Sequence, residues 1–338
     1  MPSTTNGLPR PAAGAISDQP RFNLDRRLVR RRFRTALATA DQVATLSREI
    51  AARMDERLDY IRLDPKRIID LGCGTGTDLL RLGERFPGIP VTGIDFALPG
   101  PAQVRRSDWR RRLSRKFRAV SSALATARSG NGIGPILGAL FNRSHQPETA
   151  RIAADANALP IANGSTSLIW SNLMLNWLDD PAPAFAEVHR VLEPGGLLMF
   201  STLGPDTLQE LRQAFGDASA AHVHHFIDMH DLGDALVRAG FSDPVMDMEM
   251  ITIRYTSARD LFDDLRRSGC NNASATRCRG LFGRRRWDDM LRHLELTREG
   301  DGRFPMRFEV IQGHAWKATP TTTPDGRSVV HFHPFRRT

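Results

Sequence analysis

The sequence predicts an α/β fold built on a mostly parallel sheet, and three stretches carry that prediction. Residues 67–76 read RIIDLGCGTG: an apolar, β-branched run at Ile68, Ile69 and Leu71 that includes one acid, Asp70, followed by glycines at 72, 74 and 76. A short apolar run bounded by turn signals is the pattern of a buried parallel strand. Residues 91–95, VTGID, repeat it and end in an acid, and residues 196–203, GLLMFSTL, give a further apolar run behind a Pro-Gly-Gly turn. Between the first two, Leu79, Leu80, Leu82 and Phe86 fall at helical spacing, so strand, glycine turn, helix and strand follow one another as in an open α/β sheet.

In chain order, residues 1–20 mix Pro, Gly, Ser, Thr and Ala without periodicity and are expected to be disordered. From Asp41 to Leu58 the apolar residues Val43, Leu46, Ile50, Met54 and Leu58 share one helical face, which predicts a helix lying on the core. The glycines of 72–76 let the backbone turn sharply and approach a ligand, because no Cβ intervenes. The helix that follows points its free N–H groups at the turn. Asp95 ends the next strand 19 residues after Gly76, where an acid can accept hydrogen bonds from both hydroxyls of a ribose at the crevice of the sheet. Between Asp95 and Asp155 the chain is about 30 residues longer than one helix and a strand require. Residues 98–148 are therefore expected as an insertion at the sheet edge, with an arginine-rich helical stretch around Trp109, Leu113 and Phe117. Helices are expected at 206–215, 229–239, 257–268 and 285–297, and strands at 245–255 and 307–317. Residues 319–338 read as a flexible tail, leaving 21–318 as one decorated domain.

With 338 residues and 41% hydrophobic composition, the chain can bury a sizeable core. No window approaches about 18 uninterrupted apolar residues and no apolar leader opens the chain, so neither a membrane span nor a secretory signal is expected. Cys73, Cys270 and Cys278 have no metal-ligand spacing and are expected as reduced thiols in a cytoplasmic protein, with Cys73 a small apolar filler. The net charge is +9, and only three of the 47 basic residues are lysines. Arginine blocks at 26–34, 105–118 and 284–286 fit an acidic macromolecular partner, solvated faces, or the composition of a GC-rich genome.

Which ligand the glycine turn suits depends on spacing. The dinucleotide fingerprint G-x-G-x-x-G fails in both frames, at Thr77 and at Leu79, and no Lys-Ser/Thr pair follows as in a phosphate-gripping loop. The remaining pattern, D-x-G-x-G-x-G, resembles motif I of the class I S-adenosylmethionine-dependent methyltransferases. Ala154-Asp155-Ala156, Leu159-Pro160, SLIWSN at 167–172 and HRVLEPGG at 189–196 resemble the later motifs of that family, in the same order. The resemblance implies a Rossmann-like sheet of about seven strands with an antiparallel last strand, an N-terminal lid helix ahead of motif I, and S-adenosyl-L-methionine as cofactor. It further implies that Asp70, Gly72, Gly74, Gly76, Asp95, Asp155 and Ala156 hold that cofactor, with Asp155 beside the adenine.

After Leu168 the chain resembles the malonyl-acyl-carrier-protein O-methyltransferases of biotin synthesis, in SNLMLNWLDDPAPAFAEVHRVLEPGG and in DGRFPMRFEV. It also resembles a related complex I assembly-factor branch, in GPDTLQELR, DLGDALVRAGF and FDDLRRSGCNN. One position departs from the first group: its lid pattern FGRAAxxY reads FRTALATA here, with Ala40 in the tyrosine's place. The first resemblance implies methyl esterification of the free malonyl carboxylate, an acidic acyl carrier protein steered by the arginine blocks, and a monomer, with no nucleic-acid partner. The second implies a protein that acts on, or scaffolds, a protein partner. Candidate substrate contacts are His222, which with Phe226 matches a His and a Phe in both groups, Trp177, Arg303 and Asn172. Trp177 reads equally as a channel wall or an ordinary packed aromatic, and Arg303 as a carboxylate grip or a solvated side chain. His224, His225 and His230 read as surface histidines, so no metal is expected. A carboxylate acceptor is already ionised at neutral pH, so no general base is required.

Overall fold

A computed structural model describes residues 23–98, 149–216, 222–280 and 282–319. The expected disordered start, almost all of the 98–148 insertion and the tail beyond Thr319 lie outside the described residues.

A seven-stranded sheet organises the chain, in the order β3-β2-β1-β4-β5-β7-β6. The strands are β1 (Ile68–Leu71), β2 (Val91–Asp95), β3 (Thr149–Ala153), β4 (Thr166–Asn172), β5 (Leu192–Leu203), β6 (Phe241–Tyr255) and β7 (Phe304–Lys317). β1 pairs in parallel with β2 and β4, β2 with β3 and β4 with β5, whereas β7 runs antiparallel to both β5 and β6. Both strands expected near the C-terminus form and run a few residues further back than the sequence indicated. Successive residues of each strand face opposite layers. Ile68, Leu168 and Leu197 enter a core shared with α2 (Thr45–Arg57), α3 (Thr77–Arg85), α5 (Gln209–Phe215) and α8 (Arg284–Glu295). Ile69, Ile169 and Leu198 enter one shared with α4 (Ala182–Val191) and α6 (Met229–Arg238). Burial on both faces explains why these strands read as continuous apolar runs.

The direction of chain progression reverses beside β1: β2 and β3 lie on one side, β4 and β5 on the other. In open α/β sheets the crevice at such a switch point, beyond the carboxyl ends of the strands, is where ligands bind. Two elements close it from above. Helix α1 (Arg26–Ala36) is capped by the Asp25 carboxylate, which accepts from Leu28 N–H at 3.0 Å. The expected single helix over 41–58 is divided, with a 3₁₀ turn at Ala40–Gln42, then α2, then a second 3₁₀ turn at Leu58–Tyr60. Helix α7 (Ala258–Ser268) abuts α1. Among the described residues no helix is long and apolar enough to cross a membrane.

Candidate active site

A cleft of about 400 Å³ opens at the carboxyl ends of β1, β2 and β4 beneath α1, within the size range of small-molecule sites. Its floor is the glycine turn. Gly72 and Gly74 have φ of 86° and 46°, in the left-handed region where a side chain is strained. A Cβ on Gly72 would strike Met174, whereas above Gly74 the nearest atom is 4.0 Å away, so Gly74 leaves the floor open to a ligand. Gly76 has a different duty. It lies outside the cleft lining, and the Arg151 guanidinium fills the space a Cβ would need while donating to Thr75 O at 2.9 Å.

Asp95 takes one backbone N–H on each oxygen, from Gly74 at 2.9 Å and from Ala97 at 2.7 Å. Each oxygen keeps lone-pair capacity for a hydroxyl donor. Burial pushes this carboxyl up from its ordinary value, and the two N–H groups oppose the shift. Asp155 and Ala156 line the cleft beyond β3, and Asp155 forms an ion pair with Arg26 of α1 at 2.5 Å. The lid is tied to the floor a second time, where Thr75 and Thr77 hydroxyls donate to the Asp41 carboxylate at 2.5 and 3.3 Å. An acid with free acceptor capacity, an open glycine floor and a second acid at the next strand fit the ribose, amino-acid and adenine ends of S-adenosylmethionine.

Asp70 does not reach the cleft. It is buried under the turn, and its Oδ2 has no hydrogen-bond partner. Burial, reinforced by the charges of Asp78 and Asp95, pushes its carboxyl well above the usual range. Cys73 is buried beside Gly93, and burial pushes its thiol up, which suits a filler and leaves it unreactive. Asp78 lines the cleft and accepts from Asn172 Nδ2 at 2.9 Å and Trp170 Nε1 at 3.2 Å. Asn172 also lines the cleft, yet its amide is committed: Nδ2 also donates to Ser47 O, and Oδ1 accepts from Ser201. It ties the start of α2 to the sheet instead of offering a free group to substrate.

The second half of the cleft is aromatic. Trp177 meets Phe33 of α1 and His224 edge to face, each with ring centroids 4.9 Å apart. His224 is 7% exposed, not a surface histidine as its sequence suggested. Its Nε2 accepts from Ala273 N–H at 2.6 Å, so the proton resides on Nδ1, and burial lowers its pKa to about 4, with the nearby Arg32 charge adding to the shift. Tyr255, at the end of β6, lines the same half with Asp264; burial and the Asp264 charge raise the phenol. Ala40 lines it too. Two of the predicted substrate contacts lie elsewhere. His222 stacks on Phe215 at 4.1 Å and meets Phe282, outside the cleft lining, and Arg303 is exposed on the turn before β7. The segment HVHHF has no periodicity, so nothing in it marks His224 as the inward ring.

A family model described as a methyltransferase domain matches residues 43–243. A malonyl-[acyl-carrier protein] O-methyltransferase of Laribacter hongkongensis is 43% identical over 319 residues, covering 93% of this chain and 97% of the relative. One of Gallionella capsiferriformans is 40% identical over 312 residues, covering 91% and 97%, and one of Coxiella burnetii is 38% identical over 295, covering 87% and 89%. With a Rossmann-like sheet, an acid-and-glycine crevice at its switch point and these matches over nearly full length, the chain belongs to the malonyl-[acyl-carrier protein] O-methyltransferase family.

Proposed function

We propose that this protein esterifies the free carboxylate of malonyl-[acyl-carrier protein] with the methyl group of S-adenosyl-L-methionine, giving the methyl ester used in biotin (pimeloyl) synthesis. The observation that carries the reading is the match to relatives of that name across almost the whole of both chains. When bound, S-adenosylmethionine supplies a methyl group on a sulfonium. In this reading Asp95 receives the ribose hydroxyls, Asp155 and Ala156 border the adenine, and Gly74, held in place by the turn that Gly72 begins, admits the amino-acid end. The malonyl carboxylate is ionised at neutral pH, so the residues have no proton to remove. Their work is alignment and drying, and orientation of this kind can supply several kcal/mol.

The carboxylate oxygen forms its bond to the methyl carbon as the carbon–sulfur bond breaks, and opposite charges disappear together. An apolar wall favours such a step because water would stabilise the separated charges more than the transition state. Phe33 and Trp177 provide that wall. His224 suits it by staying neutral, because an imidazolium would hold the acceptor carboxylate in an ion pair and blunt its attack. We place the reaction in the cytoplasm, carried out by a monomer.

Complementation tests the reading. A bacterial strain lacking its own malonyl-carrier methyltransferase grows without biotin when it expresses this chain and stops growing when Asp95 is replaced by Ala. A well-expressed wild-type chain that leaves the strain dependent on biotin overturns the assignment.

A further inference from the structure

Helix α1 carries six arginines and no acid in 11 residues, and the structure divides those arginines into two sets. Arg26 turns inward to Asp155, and Arg32 donates to the Asn272 carbonyl. Arg27, Arg30, Arg31 and Arg34 are exposed and line a shallow outer groove, and among the described residues none of their four guanidinium groups has a hydrogen-bond or ion-pair partner. Their spacing of i, i+3, i+4 and i+7 makes a single stripe, about 10 Å long from the rise per residue. Like charges three and four apart oppose helix formation, so this stripe weakens the element that bears it unless an anionic surface lies against it. The opposite side of the same helix, at Val29 and Phe33, is cleft wall. That side is held by a small apolar cluster of its own, with Leu28, Val29 and Ala273 as its buried members, apart from the two main cores.

We infer that the Arg27–Arg30–Arg31–Arg34 stripe is the docking surface for an acidic carrier protein, which thereby seats its acyl arm against the helix that roofs the cleft. The inference rests on the functional reading above for the identity of the partner. Carrier proteins are small and acidic, so the charges are complementary, and steering of this kind raises association rates in a salt-dependent way. Stripe and cleft are separated by the width of one helix, about 10–12 Å with side chains, a span within reach of a carrier's flexible prosthetic arm.

The test compares wild type with a variant carrying Arg27→Gln, Arg30→Gln, Arg31→Gln and Arg34→Gln together, a change that keeps side-chain length and helix propensity. Three quantities are measured: KM and kcat for malonyl-carrier over a range of salt, S-adenosylhomocysteine affinity by calorimetry, and binding of unloaded carrier by fluorescence anisotropy. The stripe predicts at least a tenfold rise in KM at low salt, a flattened salt dependence, kcat within about twofold at saturation, and unchanged S-adenosylhomocysteine affinity, which also certifies folding. A variant with normal cofactor affinity and unaltered KM and salt slope overturns the docking surface. So does a stripe that retains single-stranded RNA while carrier KM stays at the wild-type value. If wild type binds unloaded carrier through the stripe but never methylates its malonyl form, the docking surface stands and the functional reading falls.

Discussion

Replacing Asp70 by Asn should stabilise the protein, by an amount that depends on pH. Asp70 lies opposite Gly93 and Trp170 in the middle of the sheet and is 2% exposed, with one carboxylate oxygen unpartnered. Burial, then the Asp78 and Asp95 charges, raise its folded pKa well above 3.8. A carboxyl raised in the folded state is protonated in both states at low pH, so the stability tied to it is fully present there. That stability is lost as pH rises through the folded pKa, where the unfolded chain ionises freely and the native one must bury a charge. Asn keeps the shape and removes the ionisation. Leaving a buried polar group unsatisfied costs about 1–3 kcal/mol, and more for a charge, so the D70N variant should gain about that much above the folded pKa and nothing near pH 4. At about 2–4 °C per kcal/mol for a domain of roughly this size, melting curves of the two proteins from pH 4 to 9 resolve the difference. A D70N protein that melts lower at pH 9, or a gain that does not change with pH, refutes the reasoning.

Two further outcomes follow from the glycine turn. Asp95→Ala should weaken S-adenosylhomocysteine binding by about 1.5–3 kcal/mol in calorimetry, and should also lower the melting temperature, because Gly74 and Ala97 N–H lose their acceptor. Gly93→Ala places a methyl group 2.7 Å from Cys73 Sγ and 2.9 Å from Leu79 Cδ1, so overpacking should cost about 1–3 kcal/mol in denaturant unfolding. Adding Cys73→Ala should return part of that loss.

Elements with strong local signals were legible in the sequence. The strand, glycine turn and helix of 68–85, the strand of 91–95 and the helices near 229, 258 and 284 stand close to where periodicity put them. Tertiary contacts moved other boundaries. The Pro-Gly-Gly turn before the expected strand at 196 became part of β5, because Leu192 bridges to Thr166 across a register shift. The helix expected from 206 begins at Gln209, because Leu208 adopts φ of 56° and donates its N–H to Arg307 O at 2.7 Å. In the first lid helix the inward residues Leu28, Val29 and Ala36 alternate with arginines that dominate composition, so the stretch reads as charge before it reads as amphipathic. At the site, Asp95, Asp155, Gly72 and Gly74 could be found because each ends a strand or forms the turn after one. His224, Tyr255 and Asp41 could not, because long-range packing alone brings an irregular loop, the far end of β6 and the lid turn to one cleft.

The most direct test of the central claim is chemical. Purified protein is incubated with methyl-labelled S-adenosylmethionine and malonyl-carrier, with acetyl-carrier, which lacks the free carboxylate, as control, and the acyl groups are analysed by mass spectrometry after release. One base-labile methyl ester per malonyl group is expected, and none on acetyl-carrier. Labelled methyl on the carrier polypeptide itself, or bound cofactor with malonyl-carrier left unesterified, would contradict it.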